Sequence, residues 1–207
     1  EEEEELRRLL PVVKRLVEEI EVPISIDTYK SKVAEESLKL GAHIINDIKG
    51  LKGDPEMAKV VAKYNAPIII MHIKGTPKTM QNDPKYKDLI GEISDKLESS
   101  IEIAIKAGIK AENIILDPGI GFGKTFDDNL KLIDKLGKLR KIGYPILIGA
   151  SRKGFIGEIL GTPPLERVEG NLAVAVLSAY NGASIIRVHE VKETKQALKI
   201  VNRMKNL

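Results

Sequence analysis

A chain of 207 residues fits one domain, large enough to bury a sizeable core without disulfides or a structural metal. It contains no cysteine and no tryptophan, which excludes a disulfide framework and a thiolate zinc site and makes a reduced, cytoplasmic setting the expectation. The net charge of +3 comes from 33 basic and 30 acidic residues interspersed along helical faces, which argues against nucleic-acid binding; no apolar stretch approaches the roughly 20 residues of a membrane span, and no signal peptide opens the chain.

Over residues 6–20, Leu6, Leu9, Leu10, Val13, Leu16, Val17 and Ile20 recur at helical spacing behind five glutamates that suit a helix N-terminus. Pro11 inside that pattern predicts a kink or a late start. Residues 22–27 read as a short buried strand, and residues 30–40 as a helix stopped by Gly41. The same unit then recurs. Strand 42–48 precedes helix 56–64, and strand 66–71 precedes a long loop and helix 87–106. Strand 113–116 precedes helix 127–141, strand 145–150 precedes a short helix and helix 166–180, and strand 184–188 precedes a final helix to about residue 204.

Strict alternation of strands and helices predicts a parallel sheet covered by helices. Each of the six strands ends in polar residues: Asp27, Asn46 with Asp47, His72, Asp117, Ser151-Arg152-Lys153, and Arg187 with His189. A doubly wound sheet concentrates its chemistry at one switch point, so candidates at every strand end favour a TIM-type (β/α)8 barrel with six of its eight strands in this chain. A single domain over residues 1–207 is expected, with the two remaining strands placed before residue 1.

The run Asp117-Pro-Gly-Ile-Gly-Phe-Gly-Lys-Thr125 is not a Walker A motif, because Gly119 and Gly123 enclose three residues where that loop needs four, and it does not match the dinucleotide fingerprint either. It reads as a strand-end carboxylate followed by a loop whose backbone can approach a flat ligand closely, or as a plain glycine-rich turn. Asp27 is as readily a neighbour of a helix cap at Thr28 as a chemical group, and Asn46-Asp47 shares that ambiguity. Together, an amide and several carboxylates suit a heterocycle that carries amino and oxo groups.

Arg187 and His189 lie on one side of an extended strand end, where a guanidinium and an imidazole can clamp a phosphate, and Ser151-Arg152-Lys153 offers a hydroxyl and two cations. Solvated loop charges are the bland alternative for each. His72 reads as a hydrogen-bonded structural histidine. With three histidines and no cysteine, a protein-built transition-metal site is not expected, whereas Mg2+ bridging phosphate oxygens is compatible with these residues.

These segments, in this order, resemble the dihydropteroate synthase family: Ile26-Asp27-Thr28, Ile45-Asn46-Asp47, Met71-His72 with Gly75, the run from Asp117 to Lys124, Ser151-Arg152-Lys153, and Ile186-Arg187-Val188-His189. The resemblance implies a (β/α)8 barrel that joins a dihydropterin-methyl diphosphate to p-aminobenzoate and releases pyrophosphate with the help of Mg2+. It implies that Asp27, Asn46, Met71, Asp117 and Lys153 bind the pterin, that Phe122, Ser151 and Lys153 border the p-aminobenzoate site, and that Arg187 and His189 hold the diphosphate. The catalytic set would be Asp27, Asp117, Lys153, Arg187 and His189.

It further implies a homodimer through helices near the C-terminus. The metal would be held by the diphosphate and by a ligand in the family's first strand and loop, which have no counterpart here, so the chain alone is expected to have little synthase activity while keeping pterin binding. The rival readings are a pterin-dependent methyltransferase, which needs no diphosphate clamp, and a non-catalytic pterin-binding paralogue. A Schiff-base aldolase with Lys153 as nucleophile is disfavoured by the polar, anion-seeking neighbours Ser151 and Arg152.

Overall fold

The computed structural model describes residues 2–206. In chain order the elements are α1 (Glu2–Glu19), β1 (Ser25–Asp27), α2 (Ser31–Lys39), β2 (Ile44–Asp47), α3 (Met57–Lys63), β3 (Ile68–Met71), α4 (Leu89–Lys106), β4 (Ile114–Asp117), α5 (Phe126–Asp134), α6 (Leu136–Leu139), β5 (Leu147–Ile148), α7 (Gly154–Leu160), α8 (Val168–Tyr180), β6 (Ile185–Ile186) and α9 (Val191–Lys205). All six expected strands are present, and all but β4 are shorter than expected.

Two expectations about helices need correction. The first helix does not start late, because Glu2, Glu3, Glu4 and Glu5 form its first turn, where acidic side chains favour the helix dipole, and Pro11 is carried inside it. The single helix expected over 127–141 is divided into α5, α6 and a 3-10 turn at Arg140–Ile142, the first break falling at Lys135, whose ψ of 16° leaves the helical range.

The chain resolves into two compact units. One holds the chain up to His72 together with Lys96–Leu116, and the other holds Ile73–Asp95 and the chain from Asp117 onward. In the first unit, strands run in the order β1-β2-β3-β4, with β1–β2 and β2–β3 parallel. Ile45, Ile68, Ile70, Ile114 and Leu116 are fully buried, as expected for a sheet covered on both faces. Strand β1 alternates exposed, buried, exposed, so Ile26 points into the core while Asp27 does not. The register sets Asp27 beside Asn46 and Asp47 beside Ile70, which fixes which strand ends are neighbours. Helix α1 packs on α2 and α2 on α3; Glu5 ties α1 to the end of β1 through Lys30 at 2.7 Å and the Thr28 hydroxyl at 2.7 Å.

In the second unit β5 and β6 pair in parallel, Leu147 with Ile185 and Ile148 with Ile186, and the pairing extends to Arg187, whose N–H donates to the Ile148 carbonyl at 2.9 Å. Helix α8 packs on α9, α5 and α7. Arg167, at the start of α8, lies across α7 and donates to the carbonyls of Thr162, Arg152 and Lys153. That contact requires glycine at 157, since any Cβ there would overlap the Arg167 guanidinium. The backbone of the Ser151-Arg152-Lys153 turn is thus held from outside.

Candidate functional site

At the strand ends of the first unit, the Asn46 side chain donates to Asp27 Oδ2 at 3.0 Å. Asn46 is 5% exposed, and its Oδ1 is buried with no hydrogen-bond partner. A buried acceptor left unpaired costs on the order of 1–3 kcal/mol, so this oxygen is a place where a ligand donor would be rewarded. Asp47, one residue on, does the opposite. Its two oxygens accept the backbone N–H groups of Lys49 and Leu51, each at 2.8 Å, and hold a turn in which Gly50 and Leu51 adopt positive φ. Burial pushes the Asp47 carboxyl above its usual range against the pull of those two bonds. The ambiguity of Asn46-Asp47 therefore resolves into one amide bonded to the neighbouring strand end and one carboxylate that anchors its own turn.

Thr28 is not the helix cap that the sequence suggested. It accepts the Lys30 N–H at 3.2 Å as a local turn, and the start of α2 is served from a distance by Asp54, which accepts the Ser31 N–H at 2.8 Å. Met71 and His72 close β3 and are both buried; a Cβ on Gly50 would come 2.7 Å from the Met71 carbonyl, so the β2 loop leans directly on this strand end.

In the second unit the loop after Asp117 is built on Gly119, Gly121 and Gly123, with φ of 72°, 79° and 65°. Only glycine adopts such angles without strain, and a Cβ at 123 would also collide with the Lys74 carbonyl. Buried polar groups then pin the loop from inside. Asp117 Oδ1 accepts the Gly119 N–H at 2.7 Å, and Asn129 accepts the Gly121 N–H at 2.7 Å while donating to the Thr125 carbonyl at 2.8 Å. Thr125 and Asp128 form a reciprocal capping box that starts α5.

Residues of the long loop before α4 pin it from outside. Tyr86 donates to the Gly123 carbonyl at 2.7 Å and Gln81 to the Gly121 carbonyl at 2.9 Å; Lys74 lies 3.9 Å from the Tyr86 ring centre and pairs with Glu92 at 3.0 Å. Tyr86→Phe removes one of these pins and is expected to cost about 1 kcal/mol of stability, read from a denaturant melt. An unchanged midpoint would show that the loop needs no such pin.

Charge is concentrated beneath this loop. Asp117 is 5% exposed, and burial pushes its carboxyl up to about 6 against the Gly119 N–H and the charges of Lys124, Lys153 and Arg187. Lys124 is 3% exposed, donates to the Phe122 carbonyl at 3.0 Å, and is pushed by burial down to about 7 against the attraction of Asp117 and Asp128. The Lys153 ammonium sits 4.2 Å from the Phe122 ring centre, a cation-π distance. Gln81, Gly121, Lys124, Lys153, Phe155 and Glu158 line a cavity of about 370 Å³ between the loop and α7.

The basic turn differs from expectation. Arg152 does not offer its charge outward: its Nε and Nη2 donate to Glu190 Oε1 at 2.9 and 2.6 Å, and it sits at φ 61° with its own N–H bound to Asn171 Oδ1 at 2.9 Å. The turn therefore presents a hydroxyl and one cation rather than two. Ser151 Oγ lies 2.9 Å from His189 Nδ1 and donates to Glu190 Oε2 at 3.2 Å. Sequence reasoning missed Lys124, Asn129, Asn171 and Glu190. The amides carried a faint signal, as polar residues at buried helix positions. Among the described residues, no group of three or more histidine, aspartate or glutamate side chains is placed to hold a metal ion.

Residues 1–189 match the family model described as pterin binding enzyme. The chain is 47% identical over 207 residues to the dihydropteroate synthase of Bacillus subtilis, covering 99% of this chain and 70% of that protein, and 46% identical over 199 residues to that of Escherichia coli, covering 96% and 70%. Among solved structures, a Yersinia pestis dihydropteroate synthase in complex with a sulfonamide drug superposes with a TM-score of 0.96 at 43% identity, over 100% of this chain and 75% of that one. A clostridial dihydropteroate synthase crystallised in the presence of pteroic acid gives 0.92 at 46% identity, over 98% and 74%.

Proposed function

The chain belongs to the dihydropteroate synthase family of pterin-binding enzymes and has that family's TIM-barrel type of α/β fold, and from this premise we propose how its residues carry the reaction. The activity is that of a transferase of folate synthesis: a dihydropterin-methyl group passes from its diphosphate to p-aminobenzoate and pyrophosphate leaves. The observation that carries the residue assignment is Asn46. Its buried Oδ1 has no hydrogen-bond partner, and a pterin ring supplies amino and ring N–H donors that would meet it next to Asp27.

In this reading Asp27, Asn46, Met71, Asp117 and Lys153 bind the pterin, Arg187 and His189 hold the diphosphate, and Phe122, Ser151 and Lys153 border p-aminobenzoate. The bond from the methylene carbon to the diphosphate oxygen breaks with its electron pair going to pyrophosphate. The arylamine nitrogen then attacks the methylene carbon and loses its proton. Fixed carboxylates favour the positive charge that develops on the pterin-methyl group, and fixed cations favour the leaving group, so the residues act by electrostatics and positioning. Among the described residues no carboxylate or histidine cluster would hold a metal, so Mg2+ would arrive with the diphosphate and would supply neutralising charge to the leaving group beside Arg187 and His189.

The family match spans elements of both units, which supports reading the whole chain as one pterin-binding domain. A homodimer is supported by apolar side chains left exposed on α8 and α9, among them Leu177, Tyr180, Ile200 and Met204. No helix among the described residues is long and apolar enough to cross a membrane, and a cytoplasmic setting suits a chain without cysteine. Calorimetric titration with a dihydropterin diphosphate tests the reading directly. Saturable binding is expected; absence of binding overturns it, and pyrophosphate release on adding p-aminobenzoate separates the synthase from a methyltransferase or a non-catalytic pterin binder.

A further inference from the structure

We propose that Glu190 is a positioning residue that acts through the Ser151 hydroxyl to keep the proton of neutral His189 on Nδ1, leaving Nε2 as the ring nitrogen that meets the substrate's diphosphate. The destination of Nε2 rests on the diphosphate reading above. The proton path does not.

It follows from counting hydrogens around one oxygen. Glu190 Oε1 is occupied by the Arg152 guanidinium, and Oε2 by the Asn171 amide at 3.0 Å and Ser151 Oγ at 3.2 Å. Burial opposes ionisation of this carboxyl, but the bonds from Arg152 and Asn171 outweigh it and hold the group below its usual range. An ionised carboxylate only accepts, so the single proton of Ser151 goes to Glu190. Ser151 Oγ then has only lone pairs to turn toward His189 Nδ1 at 2.9 Å, and two lone pairs at that distance repel. Nδ1 must carry the hydrogen. The His189 backbone N–H, 3.4 Å from the same oxygen, fits an Oγ that accepts from this side. The reverse assignment, with Ser151 donating to the imidazole, would face its lone pairs against the Glu190 carboxylate.

Arg152 and Asn171 have a share in this. Asn171 is 3% exposed in α8 and bridges the Arg152 N–H and Glu190, while Arg152 in its left-handed conformation saturates the other carboxylate oxygen. Together they fix Glu190 in position and leave one of its lone pairs for Ser151. The hydrogen on Nδ1 thereby makes His189 a ring whose outer nitrogen accepts while neutral and donates once it takes a proton from solvent beside an anion.

The test is the nitrogen spectrum of the histidine rings in the intact chain, which holds only His43, His72 and His189, recorded with and without inorganic pyrophosphate. In the wild type, with the ring neutral, His189 is expected as the Nδ1–H tautomer. Glu190→Gln frees the serine proton for the imidazole and is expected to move His189 toward Nε2–H. Ser151→Ala keeps the Arg152–Glu190 pair, guarding against a folding artefact, and is expected to release the tautomer in the same direction. An Nε2–H wild type, or variants with the wild-type ring spectrum, overturns the proton path. An Nδ1–H wild type that ignores pyrophosphate overturns the diphosphate reading and with it the stated destination of Nε2, while the path from Glu190 stands.

Discussion

Replacing Asp117 with asparagine is expected to weaken dihydropterin diphosphate binding by about tenfold to a hundredfold, the worth of hydrogen bonds to a charged acceptor, and to flatten its dependence on pH. The pH effect follows from burial. The wild-type carboxyl is pushed up to about 6, and pterin N–H donors pair with its ionised form, so affinity should be level above pH 7 and fall roughly tenfold per unit below pH 6. Folding stability runs the other way. A carboxyl whose folded value lies above its unfolded one contributes stability that is complete below about pH 4 and lost as the pH rises through about 6. The unliganded protein thus loses stability over the pH range in which its site becomes competent to bind. Calorimetric titrations of both proteins from pH 5 to 8 decide the matter: a wild-type affinity that does not change across that range would remove Asp117 from the pterin contact.

Architecture and strand-end chemistry were legible because both rest on local patterns. Short apolar runs followed by loops and 3.6-period segments mark the six strands, and the polar residue after each run marks the candidate edge. What the chain did not disclose depends on partners far away in sequence. Asp47 and Asp27 are alike as letters; only the backbone N–H groups of Lys49 and Leu51 make one a turn anchor, and only the register sets the other beside the Asn46 amide. Arg152 reads as an anion-seeking cation until Glu190, 38 residues later, is found holding it. Helix 127–141 carries an unbroken period, and its division at Lys135 is a backbone event that no side-chain pattern announces.

Lys124 is the group on which the site's electrostatics turn, and Lys124→Met should separate stability from binding. The ammonium is buried with Asp117 and Asp128 attracting it and Lys153 and Lys74 repelling it, and desolvation brings it down to about 7. A lysine lowered in the folded state contributes stability that is complete above about pH 10.5 and lost as the pH falls through about 7. Methionine fills a similar volume without that loss, but forfeits the bond to the Phe122 carbonyl, worth about 1 kcal/mol. At pH 9, about 1.5 pH units below the ordinary lysine value, roughly 2 kcal/mol already weighs against the lysine, so the variant should melt slightly above wild type there, and its advantage should grow as the pH falls to about 7. Binding should move oppositely. Without this cation Asp117 is ionised less readily, so the pH below which pterin affinity declines should rise, with a loss of about threefold at pH 6.5, approaching tenfold below about pH 5, for one unit of displacement. Melting curves at pH 6 and 9, with titrations across the same range, measure both. A binding midpoint that stays at the wild-type position would mean that Lys153 and Arg187 alone set the charge on Asp117, and that Lys124 serves only to hold the loop.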